Sequence, residues 1–251
     1  MEIGEINPLV PQNELELYSS ICKNFKVVFD IGCREDIDYY NIHPNCEYHL
    51  FEPNMDAIDV IKSKISKLEE HNIIVNEFGI SDENLDNCTY YYNTQSFTPH
   101  WISGFSKDTG ERYSLKTIDS YVEYNKISHI DMIKSDTEGL DYKVIMGGME
   151  TIKSKVDYLQ IEYGDGGKGR GLRQFTELLL PYFDIYLMME PILYAACLKI
   201  NNEIFGVKKF HYFNEFQPLI KIEDEELINF MDIEVSKTGN GGNIFCKKVK
   251  R

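Results

Sequence analysis

Short apolar runs that stop at a glycine, a proline or an acidic turn, with helical spacing between them, constrain this chain more than any other feature. Lys26-Val-Val-Phe-Asp-Ile31 ends at Gly32, and Glu47-Tyr-His-Leu-Phe-Glu52 is closed by Pro53. Ile73-Ile-Val-Asn-Glu-Phe78 meets Gly79, His129-Ile-Asp-Met-Ile-Lys134 runs into Ser-Asp-Thr-Glu-Gly, and Val156-Asp-Tyr-Leu-Gln-Ile-Glu-Tyr163 precedes Gly164. Such runs suit strands buried on both faces rather than half-solvated ones. Between them Met55, Ile58, Ile61, Ile65 and Leu68 repeat at helical spacing behind Asn54, a suitable N-cap. The spacing recurs from Leu140 through Val144 to Met146 until Gly147-Gly148 stops it. Strand-helix repeats of this length need right-handed crossovers. The expected fold is therefore α/β: a doubly wound, Rossmann-like, mostly parallel seven-stranded sheet with helices on both faces.

The remaining segments extend that plan. The Tyr-rich residues 88–93 and the Thr/Ser/Trp stretch 97–105 read as a strand and an active-site loop, and Ser114 to Val122 leads into a helix. A helix near 172–180, a strand at 184–189, an irregular insert at 190–240 and a last strand from Asn243 complete the 251 residues. We expect an N-terminal extension at 1–25 and a single domain at 26–251. Within it, 26–163 carries the cofactor-binding motifs and 164–251 supplies substrate-side loops, the insert and the final strands.

The balance of 41 acidic against 26 basic residues, a formal charge of −15, repels a phosphate backbone, so no nucleic-acid partner is expected. Lys168, Arg170 and Arg173, in a glycine-rich segment, suit one small anionic substrate or a solvated loop. The six cysteines are scattered without a C-x-x-C pair, which argues for reduced, mostly buried thiols and against zinc. The acidic amino terminus reads as neither a signal nor a transit peptide, and no run approaches the roughly 18 to 20 apolar residues of a membrane span. A cytoplasmic location follows as an expectation.

Asp30-Ile-Gly-Cys33 falls at the carboxyl end of the first strand, where an open α/β sheet forms its ligand crevice and glycine permits close backbone approach. Glu52 ends the second strand 22 residues later, near the separation of about 20 at which an acid meets ribose hydroxyls. The intervening Gly32-Cys-Arg-Glu-Asp-Ile37 lacks G-x-G-x-x-G, and Glu35 and Asp36 oppose a pyrophosphate while admitting a cation such as a sulfonium. There is no P-loop.

Taken in order, Val28-Phe-Asp-Ile-Gly32, Phe51-Glu-Pro-Asn54, Gly79-Ile-Ser-Asp82 and Ile133-Lys-Ser-Asp-Thr-Glu-Gly139 resemble the motifs of the FkbM family of methyltransferases, over residues 26–163. The resemblance implies a methyltransferase fold, S-adenosylmethionine as cofactor and S-adenosylhomocysteine as product. It implies that Asp30, Gly32 and Cys33 border the methionine portion, that Glu52, followed by Pro53, holds the ribose, and that Gly79, Ile80, Ser81 and Asp82 line the adenine pocket. Asp136 and Glu138 then face the methyl group and the substrate, and Glu162 resembles the last acidic motif. Two departures stand out: Cys33-Arg-Glu-Asp36 replaces the usual Asn and further Gly, and Glu138-Gly-Leu-Asp141 replaces E-G-H-E, so Leu140 supplies no imidazole.

Methyl transfer is an in-line displacement, so the protein aligns the reactants and, for a hydroxyl acceptor, removes a proton. Asp136 is the first candidate base, with Glu138 and Glu162 orienting hydroxyls; a helix-capping role for Asp136 and Glu138 is the structural alternative. His100 is a second candidate base. Trp101, Tyr91 and Tyr92 suit stacking on a sugar, while aromatics in such a segment more often pack a core or a contact in a homo-oligomer. Asp136, Glu138 and Glu162 offer hard oxygen ligands, yet no metal is expected. The sequence thus points to O-methylation of a small molecule, a sugar of a glycan or nucleotide-sugar. The alternatives are N-methylation, a peptide or lipid-linked acceptor, and a catalytically inactive cofactor-binding protein.

Overall fold

The computed structural model describes residues 14–92, 99–100, 107–137, 139–164, 171–188, 210–212, 218–223, 225, 227–229, 232 and 242–249. Helix α1 (Glu14–Ile21) leads into β1 (Val27–Ile31), α2 (Asp38–Ile42), β2 (Glu47–Phe51), α3 (Met55–Ile65) and β3 (Ile73–Asn76). Next come β4 (Gly79–Ile80), β5 (Leu85–Tyr92), β6 (Pro99–His100), β7 (Lys107–Lys116) and α4 (Ile118–Tyr124). The chain continues through β8 (Ile130–Ser135), α5 (Asp141–Met146), α6 (Met149–Lys155), β9 (Val156–Tyr163), α7 (Leu172–Leu179) and β10 (Phe183–Met188). Strands β11 (Phe210–Tyr212), β12 (Pro218–Lys221) and β13 (Gly242–Lys248) follow.

The main sheet has the order β11-β12-β10-β13-β9-β8-β1-β2-β3. Its seven-stranded centre, β10 to β3, is the expected sheet; β12 and β11, from the insert, widen it to nine strands. Pairing is parallel from β3 through β2, β1 and β8 to β9. It is antiparallel where β13 inserts between β9 and β10, so the sheet is not entirely parallel. Helical spacing explains the layers. Ile58, Ile61 and Ile65 of α3 are buried, and the Asn54 side chain caps this helix by accepting from the Asp56 and Ala57 N–H groups at 2.9 and 3.2 Å. Ile61 and Ile65 pack with Tyr18, Tyr39, Tyr48 and Met132 on one face of the sheet. Ile118, Val144, Ile145 and Ile152 cover the other with Phe29, Ile133 and Leu159. The sheet is doubly wound.

Two features exceed the sequence reading. Residues 107–116 form a long strand that joins β4, β5 and β6 in a second, four-stranded sheet. Gly147-Gly148 does end α5, yet α6 starts at once, its Glu150 and Thr151 N–H groups donating to the Asp119 carboxylate at 3.3 and 2.8 Å. Cys22, Cys33, Cys46 and Cys246 are buried free thiols and Cys88 is half-buried; Cys197 lies outside the described residues. Among the described residues no helix is long and apolar enough to cross a membrane.

Candidate active site

Strand register places the polar residues. Asp30 pairs with Lys134 and Lys134 with Gln160, while Glu162, two residues on, pairs with Asn243. Because side chains alternate along a strand, Asp30, Lys134, Gln160 and Glu162 share one sheet face near its carboxyl edge, and Asp136 follows Lys134 there. Gly32 makes the turn after β1. Its φ is +76°, and a Cβ there would stand 2.0 Å from the Asp136 carbonyl oxygen, so only glycine lets these two strand ends meet. The Asp136 N–H in turn donates to the Ile31 carbonyl at 3.1 Å.

Lys134 sits among the acids. Its Nζ lies 3.4 Å from Asp30 Oδ1 and 3.6 Å from Asp136 Oδ2, and donates to the Gly32 carbonyl at 3.5 Å. Burial disfavours its charge, but Asp30, Asp136 and Glu14 outweigh burial and raise the ammonium above its ordinary range. Burial pushes the Asp30 carboxyl up against the pull of Lys134. The Lys134 contact is an ion pair without hydrogen-bond alignment, and Asp30 Oδ1 is left without a hydrogen-bond partner.

Glu52 is 7% exposed. Its Oε2 accepts from the Arg34 N–H at 3.0 Å and its Oε1 from the Asn54 N–H at 2.8 Å. Burial raises this carboxyl, opposed by those two bonds. A carboxylate has about four acceptor sites, so two remain for a pair of hydroxyls. Beyond the end of β3, Ser81 donates its N–H to the Lys116 carbonyl at 2.9 Å and its hydroxyl to Asp82 at 3.0 Å. A Cβ on Gly147 would lie 2.0 Å from the Ser81 carbonyl, which clamps the 79–82 turn against the end of α5.

The loop carrying Asp136 is held by Asp141. This buried carboxylate accepts from the Ser135 hydroxyl at 2.6 Å and from the Thr137 and Gly139 N–H groups at 3.1 and 3.4 Å. Burial pushes it up and the Ser135 bond opposes that. The residue preceding α5, Leu140, makes no side-chain cap. From α1, Glu14 reaches the same edge: it accepts from Gln160 Nε2 at 2.6 Å, Asn243 Nδ2 at 2.5 Å and the Tyr39 hydroxyl at 3.3 Å. Gly32, Asp30, Glu52 and Asp136 thus sit at the ends of the neighbouring strands β1, β2 and β8, with buried carboxylates at Asp30 and Glu52.

A family model for the methyltransferase FkbM domain matches residues 31–184. The chain belongs to the FkbM methyltransferase family. It is 25% identical over 191 residues to the 2-O-methyltransferase NoeI of Sinorhizobium fredii, covering 68% of this chain and 77% of that one. The crystal structure of methyltransferase FkbM from Methylobacillus flagellatus KT aligns with a TM-score of 0.49 and 13% identity over 82% of this chain, which spans only 48% of that one. The structure of M. capricolum TrmK in complex with its natural cofactor product S-adenosylhomocysteine aligns at a TM-score of 0.40 and 13% identity, covering 84% of this chain and 67% of that one.

For this FkbM methyltransferase, Asp30, Gly32, Cys33, Glu52, Pro53, Asp136 and Glu162 lie at or next to the carboxyl edge of β1, β2, β8 and β9, and Gly79, Ile80 and Ser81 follow the end of β3. Cys33 is a buried thiol pushed well up by burial and by Asp30 and Glu52. Glu138, Trp101, Lys168 and Arg170 lie outside the described residues. The His100 backbone pairs with Tyr91 in the second sheet. Arg173 starts α7 with its guanidinium on Glu225 at 2.8 Å and Asn229 at 2.6 Å. The sequence reading missed Lys134, Asp141, Gln160 and Glu14. A lysine at the end of an apolar run was a signal for the first, and the fourth motif's closing acid for the second. Nothing local marks Glu14.

Proposed function

We propose that this chain transfers the methyl group of S-adenosylmethionine to a hydroxyl of a small molecule, with a sugar of a glycan or nucleotide-sugar as the acceptor class and S-adenosylhomocysteine as the product. The observation that carries the reading is the glycine-only meeting of Gly32 with Asp136, which sets a candidate base beside a turn flanked by Asp30 and Glu52. The residues fit the cofactor: Asp30 Oδ1 is a buried acceptor without a hydrogen-bond partner, and Glu52 keeps acceptor capacity for a diol. The printed activity of the relative from Sinorhizobium, a 2-O-methyltransferase, supports oxygen as the methylated atom.

When bound, S-adenosylmethionine supplies an electrophilic methyl on a sulfonium. In the proposed site Asp30, Gly32 and Cys33 border its methionine portion, Glu52 beside Pro53 holds the ribose, and Gly79, Ile80 and Ser81 line the adenine. Asp136, half-buried and 3.6 Å from the Lys134 ammonium, takes the proton of the acceptor hydroxyl. Glu138 and Glu162 orient further hydroxyls, and His100 is the alternative base. Trp101 stacks on the sugar, and Lys168, Arg170 and Arg173 meet an anionic group of the acceptor. No metal is assigned, and the location proposed is cytoplasmic.

Calorimetric titration with S-adenosylmethionine and S-adenosylhomocysteine tests this reading. Wild type is expected to bind both, and Glu52→Ala about 100-fold more weakly, because two hydrogen bonds to a charged acceptor are lost. Cofactor-free wild type that binds neither overturns the reading. Binding justifies screening sugars for methyl gain by mass spectrometry.

A further inference from the structure

We propose that Glu14, which precedes the family-matched residues 31–184, is the acceptor-selecting carboxylate of this site and that the subsite beside it takes a neutral, hydroxyl-bearing group. The inference rests on the methyltransferase reading and adds to it a residue and a ligand chemistry. Three donors from three elements converge on Glu14: Gln160 Nε2 of β9 at 2.6 Å, Asn243 Nδ2 of β13 at 2.5 Å and the Tyr39 hydroxyl of α2 at 3.3 Å. A carboxylate has about four acceptor sites, so these donors fix the group and, among the described residues, leave one site for a further donor. Its side chain is half-buried rather than sealed.

A second observation points to a ligand at the same place. Gln160 is 1% exposed, and although its Nε2 serves Glu14 and Tyr39, its Oε1 has no hydrogen-bond partner. Two acceptors next to each other, one with spare capacity and one without a partner, are what a hydroxyl-bearing molecule would satisfy. Asn243 pairs in register with Glu162, so Glu14 adjoins the strand ends assigned to the acceptor.

Charge decides the class of group. Asp30, Asp136 and Glu14 all act on the Lys134 ammonium, so among the described residues this corner carries more negative than positive charge. A phosphate or carboxylate placed beside Glu14 would face like charges in a partly desolvated site, whereas a neutral hydroxyl would donate to it. An anionic portion of the acceptor would have to lie away from Glu14. On this view Glu14 and Asn243, before and after the family-matched residues, join Gln160 and Tyr39 within them to choose the acceptor.

The test uses the full chain saturated with S-adenosylhomocysteine at about pH 8, with saturation-transfer NMR of small probes. Methyl glucoside and myo-inositol are the neutral probes, and glucose 6-phosphate and glucuronate the anionic ones. Wild type is expected to bind a neutral probe at least about tenfold more tightly than its anionic counterpart, and Glu14→Ala to weaken the neutral probe by about tenfold, the effect of one hydrogen bond to a charged group. Glu14→Gln, of the same shape, should lose discrimination between the two probe classes. Calorimetry with S-adenosylhomocysteine serves as the folding control, and if Glu14→Ala fails it, Glu14→Gln decides. The proposal is overturned if wild type takes up no neutral probe, if anionic probes bind equally well, or if both variants behave as wild type. Failure of wild type to bind S-adenosylhomocysteine would instead overturn the methyltransferase reading.

Discussion

The two edges of the same strands treat their charged residues differently. At the amino edge of β8 and β9, Asp131 accepts from the Lys26 and Val27 N–H groups at 2.6 and 2.9 Å. Exposed His129 stands 3.5 Å from Asp131 and 3.3 Å from Asp157, so each acid there has a partner. At and beside the carboxyl edge, Asp30 Oδ1, Thr137 Oγ1 and Gln160 Oε1 are buried without hydrogen bonds, and among the described residues they are the only such side-chain atoms. Thr137 Oγ1 and Gln160 Oε1 each cost about 1–3 kcal/mol if nothing satisfies them, while the Lys134 ammonium 3.4 Å from Asp30 Oδ1 offsets part of the cost there. At the amino edge the acids meet partners within the protein. At the carboxyl edge buried polar atoms are left over.

The comparison is sharpened most by Asp136→Asn. If Asp136 is the base, turnover on a hydroxyl acceptor should fall by about 100- to 10,000-fold while S-adenosylhomocysteine binds as before. Unchanged turnover in steady-state assays would remove Asp136 from proton transfer and point to an amine acceptor, which needs less help from a base. Lys134→Met comes next. It strands Asp30 and Asp136 as uncompensated charges, with an expected loss of about 3 kcal/mol in urea unfolding. The double change with Asp30→Asn should recover much of that stability, since a neutral pair replaces a broken ionic one, yet still bind S-adenosylhomocysteine poorly. Full recovery of both would make the pair a structural device like the Asp131 cluster.

What the sequence disclosed follows the same division. Strands β1, β2, β8 and β9 were legible because runs buried on both faces leave an unbroken apolar signal, and Asp30, Gly32, Glu52 and Asp136 were legible because they end those runs. The second sheet was not, since Lys107-Asp-Thr-Gly-Glu-Arg-Tyr113 carries little apolar pattern and is set by pairing with β5. Helix α6 was hidden by the glycines that end α5. Glu14 was invisible for another reason: its partners Tyr39, Gln160 and Asn243 are up to 229 residues away, and only the folded sheet brings them together.

At the amino edge, Asp131→Ala should cost only about 1–2 kcal/mol in urea unfolding, the loss of one exposed and one part-buried hydrogen bond, and leave S-adenosylhomocysteine affinity within about twofold. Weakened binding would show that the two edges are coupled through β8 and would end their separation into a structural and a functional half.

The smallest effect expected is a slope. Burial raises the Glu14 carboxyl above its ordinary 4.5, and Lys134 with the bonds from Tyr39 and Gln160 opposes this only in part. Between 4.5 and the raised value the folded chain keeps a proton that the unfolded chain releases, so this contribution to stability is complete below 4.5 and is lost as pH rises through the raised value. Glu14→Gln cannot ionise. The stability of wild type relative to that variant, followed by urea midpoints from about pH 4 to 8, should therefore fall as pH rises. A rise instead would mean that Lys134 and the three donors hold Glu14 as a carboxylate more strongly than burial opposes it. Protonated Glu14 carries no charge and has less acceptor capacity, so on the expected slope the preference for neutral hydroxyl probes fades in the same pH range where stability is gained.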